Sequence, residues 1–501
     1  MAARGGQMRS FRPSRPIGWA RGVEPARGAA GTRSGDGIVS LVMKILSLAL
    51  LAGVVAACDH KRAQGPPVPP SPTTPSQPQP LPLPLPLPAS GGATDAGVTA
   101  VVVDAAASEP AIAIAMPVAA VTGPLANAST ALGLDLYAAA SKSTGNIALS
   151  PASISLALAM TWAGASGTTA TGMQKVLHAN TDAATFAARW GTVASALQTP
   201  GRGLELRIAN RLFGERTQTF EPDFLALTRD RFHAPLEPLD FKGGALAARD
   251  RINGWVAEQT HQRVLQLLPV GSPSPDSRLV LVNAIYFLAD WSAPFGQRST
   301  ASADFHTTAR TVKSVPTMHS HGALSAGKSD GVVLAELPYR GDTASMLVVV
   351  PTAVDGLPAI EHALSPARLA AWRRALKSQD VALALPKFKI DPASSLDLAA
   401  ALAILGMADA FDPDTADFSK LARPATPKDR LAIGGVYHKA FVKVDETGTE
   451  AAAATAVGMP TGGPMPTAPA LTITADRPFL FFIIDRQTGL VLFMGRVADP
   501  S

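Results

Sequence analysis

Apolar residues recur at helical spacing over Ser153 to Trp162, Thr168 to Ala179, Ala248 to Leu268 and Leu396 to Leu405, which predicts a helix in each. Continuous or alternating apolar runs at Arg278 to Phe287, Ser345 to Val350, Val381 to Leu385, Phe441 to Val444, Leu471 to Thr474 and Phe479 to Asp485 predict strands. The two patterns interleave from about residue 126 onward, with no internal repeat of roughly 20 to 50 residues. This stretch therefore reads as one large α+β domain with substantial sheet. Ser150 and Pro151 are ordinary helix-start residues, one as the cap and the other at the first helical position.

Before residue 126 neither periodicity is present. Between Cys58 and Ala126 lie GPPVPPSPTTPSQPQPLPLPLPLP and an Ala/Val/Thr tract. Proline at that density removes backbone donors and favours polyproline II, so the segment reads as an extended, disordered spacer. A tail with no spacing role would have the same sequence. From Met43, MKILSLALLAGVVAAC has one positive charge, a short apolar run and small residues before Cys58, the pattern of a secretory signal. Its apolar run falls short of the roughly 20 residues that a spanning helix needs.

The VAAC at 55 to 58 resembles a bacterial lipobox, which implies that the signal is cut before Cys58 and that Cys58 is lipidated. A chance cysteine in a cleaved signal is the plain alternative. Cys58 is the single cysteine of the chain, which leaves no intramolecular disulfide and no thiolate metal cluster. Residues 1 to 42 show no hydrophobic period, and Met43 makes the better start. The expected layout is 1–57 as a spurious upstream segment plus lipoprotein signal peptide, 58–125 as the Pro/Ala-rich linker, and 126–501 as the folded domain. That places the protein outside the cytoplasm, anchored to a bacterial membrane on its periplasmic or outer face through Cys58.

Charge alters the picture only at the N-terminus. The formal net charge is +5, of which residues 1 to 42 carry five and Lys44 one, leaving −1 from Cys58 onward. A nucleic-acid partner therefore has no electrostatic support. Catalytic motifs are equally thin. GALSAGKS at Gly322 to Ser329 satisfies the phosphate-loop pattern, but an apolar run ending in a turn follows it where a helix is required. There is no GxSxG or HExxH, and nine scattered His give no ligand spacing, so the chain reads as a non-enzyme with no metal site.

The segment Glu446 to Met459 is distinctive. Thr449, Ala451, Ala453, Thr455 and Val457 alternate with Glu450, Ala452, Ala454 and Ala456, so a strand here would present one face of small residues. Eleven residues from Thr449 to Met459 would span about 36 Å, and none is proline. Gly448 offers a cheap backbone pivot before them. Local propensity alone favours an Ala-rich helix or a linker. The flanks reverse that reading, because a strand pattern precedes the segment and two follow it.

In order along the chain, NIALSPASI from Asn146, RLVLVNAIYFLADWSAPF from Arg278, VPTMHSHG from Val315, LAELPYRG from Leu334, LPKFKID from Leu385, YHKAFVKVDETGTEAAAATAVGM from Tyr437 and DRPFLFFIIDRQTGLVLFMGRVADP from Asp476 resemble the serpin family. The resemblance covers about Leu125 to Pro500. It implies a single α+β domain of three sheets and eight to nine helices, with an exposed reactive loop near the C-terminus. Ser150, Ser153, Asn283 and His438 fall where the family keeps its shutter, a polar cluster beneath the point where the central sheet opens. Trp291 matches a tryptophan near the top of that sheet, and Lys387 with Glu446 a pair that braces the loop. The inhibitory hinge is matched by Glu446, Gly448, Thr449, Glu450, Ala451, Ala452, Ala453, Ala454 and Thr455.

The implied activity is suicide inhibition of a serine-type, or cysteine-type, endopeptidase, in which the cleaved arm inserts into the central sheet. Counting forward from Glu446 puts the scissile bond at Gly462, and counting back from the Pro478-Phe479 strand start puts it at Thr467. Thr461 and Val457 are further candidates. Small residues throughout suggest an elastase- or subtilisin-like target, with chymotrypsin-like enzymes also open, and the lack of Arg or Lys between Lys443 and Arg477 disfavours trypsin-like ones. No basic stripe suggests a heparin-like cofactor, no cofactor is expected, and the protein is expected to be a monomer. The rival expectation is a non-inhibitory lipoprotein of the same fold that binds or scaffolds.

Overall fold

Strand Leu279–Asp290, here β2, is apolar at nearly every position, which is how a strand reads when both faces are covered. Its alternate residues divide between two cores. Leu279, Leu281, Ile285 and Phe287 face the main core, whereas Val280, Val282 and Ala284 face Ile252 and Trp255 of helix Phe241–Gln259. A computed structural model supports this description for residues 118–501, apart from 425, 427, 428 and 451–470. The upstream segment 1–57, Cys58, most of the linker, hinge residues Ala451 to Thr455 and the scissile candidates Val457, Thr461, Gly462 and Thr467 lie outside the described residues.

Three sheets are present among the described residues, with eight helices of six residues or more and a ninth assembled from short turns over 399–411. The eight-stranded sheet contains the site. In it β1 (Leu204–Glu215) runs antiparallel along the whole of β2, and Phe388–Ile390 pairs with β4 (Val442–Val444) at the other side. Between them, β3 (Ile433–Ala440) pairs parallel with the lower part of β2, and the two-residue β5 (Gly448–Thr449) is wedged between the upper part of β2 and β4. The nine-stranded sheet is built on the antiparallel pair Phe479–Asp485 and Val491–Val497, every residue of which is buried.

Helix Pro151–Trp162, α1, is largely apolar, with only Ser153, Ser155 and Thr161 polar, and is buried along its full length, as expected of a helix beneath a sheet. Helix Phe241–Gln259, α2, covers the opposite face of the sheet.

Several expected elements end elsewhere. The pattern Ala248 to Leu268 gives a helix only to Gln259, because His261 and Gln262 adopt left-handed φ of 48° and 62° and turn the chain away. Leu396 to Leu405 yields strand Leu396–Asp397 and a broken helix interrupted at Gly406, whose φ is +132°. Helix Val118–Ala140 takes up the last eight positions of the expected linker, with Leu125 buried. Gly322 to Ser329 lies inside strand Thr311–Ser329 and is paired on both edges, so it forms no phosphate cradle at a helix start.

Candidate functional site

The parallel pairing of β2 with β3 sets His438 opposite Asn283, and the antiparallel pairing of β1 with β2 sets Asn210 opposite the same Asn283. Three polar side chains thus form one row across the sheet, directly above the N-terminus of α1. Ser150 caps that helix, its hydroxyl accepting from the Ser153 amide at 3.2 Å. Its own amide donates to His438 Nε2 at 3.0 Å. Asn283 Nδ2 donates to Ser153 Oγ at 2.6 Å and to Asn210 Oδ1 at 2.5 Å, while Asn210 Nδ2 donates to the Ser153 carbonyl at 2.8 Å. His438 Nδ1 pairs with Asn283 Oδ1.

All five residues are buried and all are partnered. With Nδ1 donating and Nε2 accepting, the imidazole is neutral and has no site for a second proton. Burial pushes its pKa down to about 3. The four expected shutter residues are therefore in mutual contact. Asn210 completes the row and was missed, since one Asn in the strand-like LRIANRLF gives no sign of what lies opposite it.

At the top of the same seam the chemistry changes. Trp291 is buried, its indole N–H donates to the Asp445 carbonyl at 3.0 Å, and its amide donates to the Thr447 carbonyl at 2.8 Å. The ring stacks on Tyr339 at 4.5 Å and 11°. Tyr339 in turn shares a 2.6 Å hydrogen bond with the Thr449 hydroxyl. Lys387 contacts Glu446 at 2.9 Å and Thr300 donates to it at 2.8 Å. Burial opposes the Glu446 charge, but those bonds outweigh it and hold the carboxyl below its usual range. Tyr339 and Thr300 were not singled out from sequence, because their partners lie more than 100 residues away.

The structure adds two features to the hinge. Gly448 is a point of close approach, where a Cβ would sit 2.1 Å from the Ala289 carbonyl oxygen. The left-handed residue is Glu450, with φ of 53°. Furthermore, the segment is paired in the sheet as far as Thr449. Gly448 already pairs with Asp290, and Thr449 pairs with Ala289 on one side and Val444 on the other. Gly448 and Thr449 therefore sit between β2 and β4, at the mouth of a seam that β2 and β3 close further down.

Comparison with known proteins agrees with this geometry. The family model for serpins (serine protease inhibitors) matches residues 127–500. Leukocyte elastase inhibitor A of Rattus norvegicus is 38% identical over 386 residues, covering 75% of this chain and 99% of that protein. Among solved structures, Serpin48 of the insect Tenebrio molitor aligns with a TM-score of 0.66 and 30% identity, over 75% of this chain and 98% of the other. Human thyroxine-binding globulin, complexed with its hormone, aligns with a TM-score of 0.68 and 29% identity, over 76% and 100%.

Proposed function

The chain belongs to the serpin family, and from that premise we propose that it inhibits an endopeptidase by trapping it through insertion of the arm that starts at Thr449. The observation that carries this reading is the seated β5, followed at once by the proline-free run of small residues. A target's nucleophile attacks a peptide carbonyl of the loop; that peptide bond breaks, the new amine stays on the C-terminal piece, and an acyl-enzyme forms. Continued pairing of the arm along β2 on one side, and along β4 and then β3 on the other, then carries the bound protease with it before water can release the acyl group.

The register of β5 fixes where that strand would run. Each step onward from the pairs Thr449–Ala289 and Thr449–Val444 moves one residue back along both neighbours. Thr455 would thus arrive opposite Asn283 and His438, the two residues now bonded across the closed seam. Insertion on this reading replaces that bond with a Thr455 hydroxyl, which can both donate and accept. Bulky or charged residues in the arm would collide or be buried unpaired, and the composition Ala451 to Val457 avoids both.

Small residues around Val457, Thr461, Gly462 and Thr467 support a target of elastase, subtilisin or chymotrypsin type. Mixing the purified protein with each enzyme and looking on a denaturing gel for a covalent complex tests the proposal. Clean cleavage without complex would favour the rival reading, a binding protein of the same fold, for which thyroxine-binding globulin is a structural precedent. We also propose that Cys58 carries the lipid anchor outside the cytoplasm. Mass spectrometry that finds an acylated N-terminal Cys58 supports this, and an unmodified Met1 refutes it.

A further inference from the structure

Thr449 points into the main core, so the next residue of a continuing strand points to the opposite face, toward α2. That residue is Glu450, and it is 6% exposed, an unusual place for a carboxylate. Its amide still donates to the Lys443 carbonyl at 2.8 Å, but its left-handed backbone turns the chain out of the sheet there. Arg263, from the loop that follows α2, forms an ion pair with it. Beyond Arg263, neither carboxylate oxygen has a hydrogen-bond partner among the described residues.

The loop that delivers Arg263 is itself held in an unusual course. His261 and Gln262 are both left-handed; His261 bonds Glu205 at 2.9 Å and packs on Tyr286 at 4.9 Å. The Arg263 guanidinium also lies 5.8 Å from the Phe441 ring centroid, over the strand segment that borders the arm. Burial pushes the Glu450 carboxyl above its usual range in spite of Arg263, Lys443 and His261 nearby.

We propose that Arg263 is a clasp that holds the uncleaved arm with Thr449 already seated in the central sheet. The clasp rests on the reading of Thr449 onward as the inserting arm, and it adds that the arm has a head start. Because Glu450 is buried with Arg263 as its one ion-pair contact, Lys443 and His261 lying farther off, the two partners are not equivalent. Removing Arg263 strands a buried carboxylate, which must then take up a proton or be solvated by withdrawal of the arm, and withdrawal is favoured as pH rises. Removing the carboxylate abolishes the need for a partner, and seating survives. A withdrawn arm must seat Thr449 afresh after cleavage, which gives water longer to release the protease.

Hydrogen exchange on the full chain reads the seating directly, at the amides of residues 447 to 450. Arg263→Ala is expected to exchange there at least tenfold faster than the parent. Glu450→Ala and the double variant are expected to keep the parent's protection. With a protease that the parent traps, Arg263→Ala is expected to lose at least twice as much inhibitor to simple cleavage per enzyme trapped. Unchanged protection in Arg263→Ala, equal loss of protection in both single variants, or an unchanged trapped fraction would overturn the clasp. Absence of any covalent complex with the parent would instead sink the inhibitory reading, while the exchange experiment still decides the clasp.

Discussion

The two ends of one seam differ in chemistry. At the lower end, Ser150, Ser153, Asn210, Asn283 and His438 are neutral, buried and fully bonded to each other. At the upper end, Lys387, Glu446, Arg263 and Glu450 are charged, and one carboxylate depends on a single partner. A neutral network in which every side-chain N and O atom has a partner makes a closure that is costly to open in part, since any single break leaves buried groups unpaired. At the rim the cations Lys387 and Arg263 reach solvent while their carboxylate partners are largely covered, so the upper end is less completely closed than the lower. On the proposed mechanism, the upper end is where insertion would start and the lower end is what would resist it.

The sharpest way to break the comparison is at the seated residue. Thr449→Arg would drive a guanidinium into the buried site beside Tyr339 and is expected to convert an inhibitor into a substrate. The number of inhibitor molecules consumed per protease inactivated should rise more than tenfold, and an unchanged ratio would refute insertion.

At the closed end, Asn283→Ala removes the hub of the row and leaves Ser153, Asn210 and His438 short of partners. A loss of about 3 kcal/mol is expected, read as a lowered midpoint in denaturant. Acid should attack the same place. His438 has a folded pKa of about 3 against an ordinary 6.5, so the unfolded chain takes up its proton first as pH falls. Stability from this group is intact above pH 6.5 and is lost progressively toward pH 3, by about 2 kcal/mol at pH 5. His438→Gln should remove that part of the acid slope, and a slope identical to the parent's would show that His438 is not the source.

The smallest effect belongs to the charged rim. Lys387→Met breaks a pair whose lysine is about a third exposed, and under 1 kcal/mol of stability should go with it. A larger loss in thermal unfolding would mean that the rim is as tightly built as the shutter, and the contrast between the ends would fail.

Much of this was legible in the residues. Phe479 to Asp485 declared itself a strand because both its faces are buried, and α1 declared itself through its cap and the helical spacing of its apolar residues. The seven motifs taken in order fixed the family, and their register brought Ser150, Ser153, Asn283 and His438 to the expected cluster. What stayed hidden depended on residues far apart in sequence. Strand Thr311–Ser329 was missed because many of its positions are exposed and polar, so no apolar period marks it.

By itself, the sequence determined that Thr449 to Met459 could be a strand: its small side chains and missing prolines are local properties that any sheet would accept. It also marked Gly448 as a backbone pivot, a property of the glycine itself. Only the tertiary structure decided that Gly448 is needed because the Ala289 backbone presses against it, that Thr449 is already seated, and that Glu450 turns back beneath Arg263. Those facts depend on β2, β4 and the loop after α2 meeting in space. Close approach and burial are properties of assembled neighbours, and no run of residues carries them alone.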